Sequence, residues 1–429
     1  MLFKLTLFRI VHNSSVLKKF FHTYPAVLNQ QIQQSFSERM EQAIEERIGD
    51  LKTRKQDRFQ AKKEKYDGRS KRRKWEHDET EEAKRLRLEE SGGERIKRRK
   101  ALVLLGYSGV NYCGMQRNLG IETIEEELLK AMLKHKWIND LGFQTPQQLQ
   151  FQRAARTDKG VSACRQVVSL KMPETYDIDE INKDLPSAIK IFAVKRVTKG
   201  FNSKSTCDAR TYSYTLPTYA LTKQDEEFDE NTYRMPPERH EELNKILNLY
   251  EGTKNFHNFT IRKEPNDPSC RRYMMKLECP TPFIPHNSEV EFAKIKVKGQ
   301  SFMMHQIRRM VGLVIAIMKG YAEPFTVAHA MEREKMNIPQ APGLGLVLEK
   351  VHYERYNKKY GNDGMHELLE FKEEDSAVEE FYHKNILSTI ISTELNEKPM
   401  MTWIKKLKNH SFTGEAENNE EDNSGNTSD

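Results

Sequence analysis

Residues 301–319 read SFMMHQIRRMVGLVIAIMK and predict a long core helix. The apolar side chains of this stretch recur with helical period, which is typical of a helix with one buried face. That face comprises Met303, Met304, Ile307, Met310, Val311, Val314, Ile315 and Met318. A neighbouring stripe is polar at His305 and Arg308 and small at Gly312 and Ala316. We therefore expect another backbone to approach the small residues, and Arg308 to point into a cleft.

Five further stretches predict strands, at residues 101–107, 166–172, 191–197, 211–216 and 289–297. In the last of these, apolar and polar residues nearly alternate, as they do in a half-buried strand. Thr123 and Glu126 form a capping box, which predicts that a helix begins after Thr123. Strands and helices alternate without a strict βαβ order. The predicted fold class is therefore α+β, with a mixed or mostly antiparallel sheet flanked by helices.

The composition limits the possible classes of protein. The chain has 429 residues, of which 37% are hydrophobic and 31% charged, so it can build a large core and still carry much polar chain. Its longest apolar run, residues 310–318, is about half of the roughly 20 residues that cross a bilayer, and we expect no membrane span. The five cysteines include no C-x-x-C pair and no histidine at metal-ligand spacing. We expect free thiols and no bound metal.

Charge is distributed unevenly around the net value of +7. Residues 1–37 lack Asp and Glu and interleave basic with apolar residues, which indicates a mitochondrial targeting segment or a short amphipathic helix of the mature protein. Residues 38–100 form a charged arm with basic clusters at 71–74 and 97–100, which serve nuclear import, contact RNA backbone or are simply solvated. Residues 413–429 form an acidic tail that we expect to be disordered. The predicted location is the mitochondrion, the nucleus or both.

The segment 151–161, FQRAARTDKGV, is the most informative part of the chain for function. Thr-Asp-Lys-Gly is typical of a turn, and Asp158 could be only a turn former. However, Arg153, Arg156 and Lys159 surround Asp158 with positive charge, which favours an ionised carboxylate. Such a group could act as a nucleophile or a base.

Glycoside hydrolysis normally needs two carboxylates, and the sequence offers no comparable second acid. A single Asp, with no metal signature and no glycine-rich phosphate loop, fits a reaction that uses neither a redox cofactor nor ATP. The basic segments indicate nucleic acid or an anionic membrane surface as the partner. Rearrangement of a base on its own ribose meets these conditions.

Several motifs in order resemble the tRNA pseudouridine synthase I family, and in particular its eukaryotic branch. They span roughly residues 101–356 and lie at 106–109 (GYSG), 114–118 (GMQRN), 156–161 (RTDKGV), 208–214 (DARTYSY), 255–260 (NFHNFT) and 299–312 (GQSFMMHQIRRMVG). The resemblance implies two α/β halves, residues 101–200 and 201–356, that share one sheet with the active site in a cleft between them. Residues 357–412 extend beyond the bacterial pattern.

The resemblance also implies roles for individual residues. Asp158 would be the catalytic carboxylate, Arg156 would help to displace the target base, and Arg308 would pair with Asp158, although Arg308 could also form an ordinary buried ion pair. Tyr212 would stack on the base, with Tyr214 as the alternative. The remaining predicted substrate contacts are Lys159, His257 and His305, of which either histidine could be structural.

The implied reaction is the isomerisation of uridine to pseudouridine in tRNA, without a cofactor, with mRNA or other structured RNA as further possible substrates. Two rival functions are a non-catalytic RNA-binding protein that keeps the fold and a base-excising glycosylase. The sequence leaves open the target positions, the oligomeric state and whether Asp158 attacks the ribose, attacks the base or deprotonates the sugar.

Overall fold

The computed structural model describes residues 97–118, 120–286, 288–361 and 363–414. The predictions for residues 1–37, for most of the arm 38–100 and for nearly all of the acidic tail lie outside the described residues. The described chain forms a nine-stranded sheet. Its strands are β1 (Arg98–Tyr107), β2 (Gln152–Arg153), β3 (Ser162–Pro173), β4 (Ile189–Arg196), β5 (Ala209–Pro217), β6 (Gly252–Asn255), β7 (Arg271–Glu278), β8 (Phe292–Gly299) and β9 (Leu346–His352).

The strand order is β4-β1-β3-β9-β5-β8-β7-β6, with β2 paired to β3. Every strand pairing in this sheet is antiparallel except that of β3 with β9. This parallel pairing is short, because it joins only Ser162 to Val347 and Ala163 to Leu348. The predicted α+β class with a mostly antiparallel sheet is confirmed. The short β3–β9 pairing begins four residues after Asp158. The strands β4, β1 and β3 therefore meet the strands β9, β5, β8, β7 and β6 beside that residue.

The first strand begins before the predicted position of residue 101. Arg98 and Arg99 already pair with Pro173 and Met172 of β3. Lys100 is buried, and its Nζ donates to the Gln150 carbonyl oxygen at 2.7 Å. Burial lowers the pKa of Lys100 to about 8. The assignment of residues 98–100 to the charged arm was therefore wrong, because they form part of the sheet.

Helices α1 (Ile124–Lys134), α2 (Asp140–Gln144), α3 (Ile178–Asp184) and α4 (Pro237–Asn248) pack beside the sheet, followed by α5 (Gln306–Lys319) and α6 (Thr326–His329). The capping box is confirmed in its first contact, because Thr123 Oγ1 accepts a hydrogen bond from the Glu126 backbone N–H. Helix α5 begins five residues later than predicted. His305 adopts a left-handed φ of 62°, and the Gln306 side chain accepts the Met303 N–H at 2.9 Å.

The small stripe on α5 meets another backbone, as its sequence predicts. A Cβ atom at Gly312 would lie 2.1 Å from the carbonyl oxygen of Pro339, so only glycine fits there. This contact holds residues 338–345, which we call the 338–345 loop, directly against α5. The same loop also lies against residue Lys159, because a Cβ atom at Gly343 would be 3.0 Å from the Lys159 carbonyl oxygen.

The C-terminal residues form α7 (Glu354–Tyr360), α8 (Asp375–Phe381), a π-helical stretch (Tyr382–Leu387), α9 (Ser388–Asn396) and α10 (Pro399–Leu407). Val378, Phe381 and Ile386 pack with Cys164 of β3 and Val347 of β9 in a small apolar cluster. The extension thus covers the sheet where β3 and β9 meet. Among the described residues, no helix has the length and hydropathy that a membrane span requires.

Candidate active site

Asp158 lies in a turn that backbone hydrogen bonds hold from two sides. The Val161 N–H donates to the Asp158 carbonyl oxygen at 3.1 Å, and the Gly160 N–H donates to that of Tyr112 at 3.2 Å. Gly160 has a φ of 76°, which explains the glycine of the motif. The Asp158 side chain remains 23% exposed. The turn predicted from the sequence is present, and it presents a carboxylate instead of burying it.

A buried hydrogen-bond network stabilises the Asp158 turn. The Tyr107 hydroxyl lies 2.9 Å from Thr157 Oγ1, and Gln166 Nε2 donates both to that hydroxyl and to the Ala155 carbonyl oxygen. Burial raises the pKa of Tyr107 to about 12, so the hydroxyl stays protonated. Sequence reasoning missed these positioning residues. The available signal was Gln166, a polar residue directly before the apolar pair Val167 and Val168.

Two cationic or potentially cationic side chains from the start of α5 face the same carboxylate oxygen. Arg308 Nη1 lies 3.7 Å from Asp158 Oδ2, and His305 Nε2 lies 3.8 Å from it. These distances exceed those of direct hydrogen bonds but lie within the range of strong Coulomb attraction. Arg308 is held in place because its Nε donates to the Ala341 carbonyl oxygen at 2.8 Å. The structure therefore brings Asp158, Arg308 and His305 together.

The 338–345 loop contacts both helix α5 and the Asp158 turn. The Ala341 N–H donates to the Arg308 carbonyl oxygen, and a Cβ atom at Gly343 would lie 3.0 Å from the Lys159 carbonyl oxygen. The Tyr214 hydroxyl donates to the Pro342 carbonyl oxygen at 2.7 Å. Tyr214 is fully buried, so its ring has no face left for a base. The alternative assignment of base stacking to Tyr214 is therefore wrong for this structure.

Tyr212 lies on the same strand but closer to the carboxylate. Its ring meets Phe302 edge to face, with 5.2 Å between the centroids, and 6% of the residue is exposed. Burial raises the pKa of Tyr212, and the charge of Asp158 also acts in that direction. Stacking of a base on Tyr212 would require a neighbouring side chain, such as Phe302, to move.

The cations of the Asp158 segment differ in their surroundings. Arg156 and Lys159 are exposed beside Asp158, where a polyanion can reach them. Arg153 instead pairs with the buried carboxylate of Glu125 at 2.7 Å. Burial raises the pKa of Glu125, and the Arg153 charge opposes that rise. The expectation that Arg153 supports Asp158 was therefore wrong.

His257 lies in a 3₁₀ helix (His257–Phe259) after β6 and is 2% exposed. Burial lowers its pKa, and the charged residues that act on it are Lys335 and Glu264. The adjacent Asn258 side chain donates to the Ala330 and Glu334 carbonyl oxygens. The structure thus places the 255–260 motif in the scaffold, which contradicts an RNA-contacting role for His257.

Arg210 is a further residue that sequence reasoning missed. Its guanidinium donates twice to the Ala154 carbonyl oxygen, at 3.0 and 2.6 Å, and once to that of Gln300, at 3.1 Å. Ala154 precedes the Asp158 turn and Gln300 precedes α5. Arg210 therefore ties together the two segments that carry Asp158 and His305. Its place in the DARTYSY motif, two residues before Tyr212, was the available signal.

No group of three or more His, Cys, Asp or Glu side chains in the described ranges is close enough to hold a metal ion. The five cysteines are free thiols.

A mixed sheet that presents one carboxylate to an arginine and a histidine from a distant helix fits the pseudouridine synthase class of isomerases. Comparison with known proteins agrees. The family model described as tRNA pseudouridine synthase matches residues 246–354.

Curated relatives extend the match to most of the chain. The mouse protein named Pseudouridylate synthase 1 homolog is 48% identical over 349 residues, which cover 80% of this chain and 82% of that protein. The human protein of the same name is 49% identical over 319 residues, covering 73% and 74%. The tRNA pseudouridine synthase 1 of Kluyveromyces lactis is 33% identical over 382 residues, covering 71% and 68%. The chain belongs to the tRNA pseudouridine synthase family and is an isomerase, so the resemblance seen in the motifs is confirmed.

Proposed function

We propose that this chain converts uridine to pseudouridine in tRNA and that Asp158 is its essential catalytic carboxylate. The observation that carries the proposal is the position of Arg308 and His305, both within 3.8 Å of one Asp158 oxygen. In the reaction the bond from C1′ to N1 breaks and a bond from C1′ to C5 forms. One proton leaves C5 and one is gained at N1, so atoms and electrons balance without a redox partner.

Arg308 would orient the Asp158 carboxylate. Its Nε is committed to the Ala341 carbonyl oxygen, so the guanidinium plane is fixed while Nη1 faces Asp158. Both side chains approach Oδ2, which leaves Oδ1 as the oxygen for the substrate. Arg308 approaches Asp158 to 3.7 Å and forms no direct hydrogen bond with it at that distance, so the carboxylate stays accessible to a substrate as a base or nucleophile.

Arg156 and Tyr212 would handle the target base. A uridine within a stem must leave its stack, which costs a few kcal/mol. Arg156 is exposed two residues before Asp158, where it can occupy the vacated position. Stacking on Tyr212 would recover about 1–3 kcal/mol. Lys159 is also exposed and would contact the RNA backbone.

The direct test measures pseudouridine formed on tRNA transcripts by wild type and Asp158→Ala. We expect the variant to form no detectable product while its affinity for tRNA stays within about twofold of wild type, because the Lys and Arg contacts to RNA phosphates that dominate affinity are unchanged. An active Asp158→Ala variant would refute the assignment. Release of free uracil by the wild type would instead indicate a glycosylase.

We also propose that mRNA or other structured RNA is modified and that the protein works in the mitochondrion, the nucleus or both. The basic clusters of the arm support the first point, since backbone contacts are largely independent of sequence. The acid-free segment 1–37 and the cluster at 71–74 support the second. Pseudouridine mapping in cells lacking the protein tests the substrates. Imaging of fusions that lack residues 1–37, or carry glutamines at 71–74, tests the locations.

A further inference from the structure

Two arginines beside the Tyr212 end of the site lie close together and bond to neutral oxygens. Arg210 Nη1 donates to the Gln300 carbonyl oxygen at 3.1 Å, and Arg272 Nη1 donates to Ser301 Oγ at 2.7 Å. Gln300 and Ser301 are consecutive, and consecutive Cα atoms are about 3.8 Å apart. The two guanidinium groups are therefore fixed on neighbouring residues of one short segment.

Like charges at this spacing oppose each other unless an anion joins them. Burial lowers the pKa of Arg272, and the charge of Arg210 adds to that effect. Asp267, the carboxylate that acts on Arg272, is itself paired with Lys263 at 2.7 Å. Within the described part of the chain, neither arginine forms an ion pair with a carboxylate.

Arg272 also has an unused donor. Its Nε is buried and bonds to no acceptor among the described residues. A buried donor without a partner costs free energy that an added acceptor oxygen would recover. A guanidinium presents Nε and one Nη as a parallel pair that matches two oxygens of a phosphate. Nη1 is occupied by Ser301 Oγ, so the Nε edge is the one suited to a ligand.

The position of this cluster indicates which phosphate it would hold. Ser301 is followed by Phe302, whose ring contacts Tyr212, and Arg210 lies two residues before Tyr212 on β5. Residues two apart on a strand share a face of the sheet. The exposed Lys204, whose carbonyl oxygen also accepts from Arg210, adds a third cation at the rim.

We propose that Arg272, with Ser301 and the neighbouring charge of Arg210, binds one RNA phosphate that flanks the target uridine. The proposal rests on the proposed function, because it takes RNA as the ligand. Arg272 binds the phosphate oxygens. Arg210 acts as a positioning residue, and its positive charge attracts the phosphate without direct contact. The flanking phosphate anchors the backbone while the base moves to Tyr212 and Asp158.

The matched control is Arg271→Gln. Arg271 neighbours Arg272 on β7 and loses the same charge, but it is exposed and its side chain lies on the opposite face of the strand. Both substitutions are made in full-length Asp158→Ala protein, so that binding is measured without turnover. We expect Arg272→Gln to weaken tRNA affinity about tenfold, and to reduce the slope of log K against log salt by about 0.7–0.9. Arg271→Gln should leave both values unchanged.

Neutral methylphosphonate linkages then identify the phosphate. The target uridine is first located by mapping the product made by wild type; absence of any product would reject the proposed function and not the phosphate site. One neutral linkage next to that uridine should weaken binding about tenfold with Arg272 present and have no further effect in Arg272→Gln. Equal losses in both proteins at every flanking linkage would overturn the proposal.

A structural role for Arg272 would give a different result. Arg272→Lys retains the charge, so it should recover part of the affinity and of the salt slope. If Arg272→Gln lowers the melting temperature in parallel with affinity, and Arg272→Lys restores neither, then the residue is structural and the proposal fails. Inorganic phosphate at matched ionic strength should compete weakly in wild type and not at all in Arg272→Gln; equal competition in both would also count against the site.

Discussion

Asp158 and Glu125 are two carboxylates with arginine partners, and they differ in how tightly they are held. Glu125 is 2% exposed, lies 2.7 Å from Arg153 and also accepts the Arg117 N–H. The Asp158 side chain is 23% exposed and lies 3.7 Å from Arg308. A carboxylate whose oxygens are occupied stabilises the fold and has no oxygen left for chemistry. A carboxylate held at a distance is available to a substrate, which is why the loosely paired acid is the better catalytic candidate.

The largest loss of free energy should come from breaking the Glu125–Arg153 pair. In Glu125→Ala, Arg153 remains partly buried beside α1 without its acid. Loss of one member of such a pair costs about 3 kcal/mol of unfolding free energy. Urea denaturation measures this loss, and the folded fraction should keep its turnover. The matched Asp158→Ala variant should unfold within about 0.5 kcal/mol of wild type. The comparison fails if Asp158→Ala proves the less stable of the two.

A smaller loss, of catalytic rate, should come from replacing Arg308, the partner of Asp158. Arg308→Lys keeps the charge but loses the Nε contact with Ala341 and the planar geometry. We expect turnover to fall about tenfold, which corresponds to roughly 1.4 kcal/mol of transition-state stabilisation. The control is Arg309→Lys, since Arg309 is buried and donates to the Ile338 carbonyl oxygen at 2.6 Å. That variant should lose stability and keep its turnover once folded; the opposite pattern would reverse the assignment of the two arginines.

A pH-dependent effect concerns Glu394, a third acid, which is buried and has no arginine partner among the described residues. Its carboxylate accepts the Met400 N–H, and burial raises its pKa from 4.5 to about 7. The folded state then binds the proton more tightly than the unfolded state, so stability from this group is complete below pH 4.5 and is lost as the pH rises to 7. Glu394→Gln should therefore match wild type near pH 4.5 and exceed it by up to about 3 kcal/mol at pH 8. Denaturation curves at both pH values test this, and an advantage that is equal at both would contradict it.

Local patterns predicted much of this structure. The period of residues 306–319, the first contact of the capping box at Thr123 and the turn at Asp158 depend on neighbours in sequence, and all three are present. The juxtaposition of Asp158 with Arg308 came from the family resemblance, because nothing local links residues that far apart. The wrong predictions for Arg153 and Tyr214 have the same cause, because the residues that they contact are distant in sequence. Arg153 has its partner 28 residues earlier in the chain, and Tyr214 is covered by the distant Pro342.

Other features arose from backbone contacts that side-chain patterns do not encode. His305 has a left-handed conformation, which delays the start of α5 and turns its ring toward Asp158. Arg210 reaches three carbonyl oxygens, and any carbonyl looks the same in a sequence. Residue type indicated where positive charge lies, whereas only the fold shows which acid or carbonyl each cation meets.

The position of β9 in the sheet affects how the chain folds while the ribosome is still synthesising it. β9 lies between β3 and β5, although β3 ends at Pro173 and β9 begins at Leu346. Until that last strand emerges, the nascent chain carries two separate half-sheets with open edges, which are the kind of surface that chaperones shield and that aggregates. A transcript cut short before residue 346 would therefore yield a polypeptide that contains Asp158 and Arg308 but lacks the strand that aligns them.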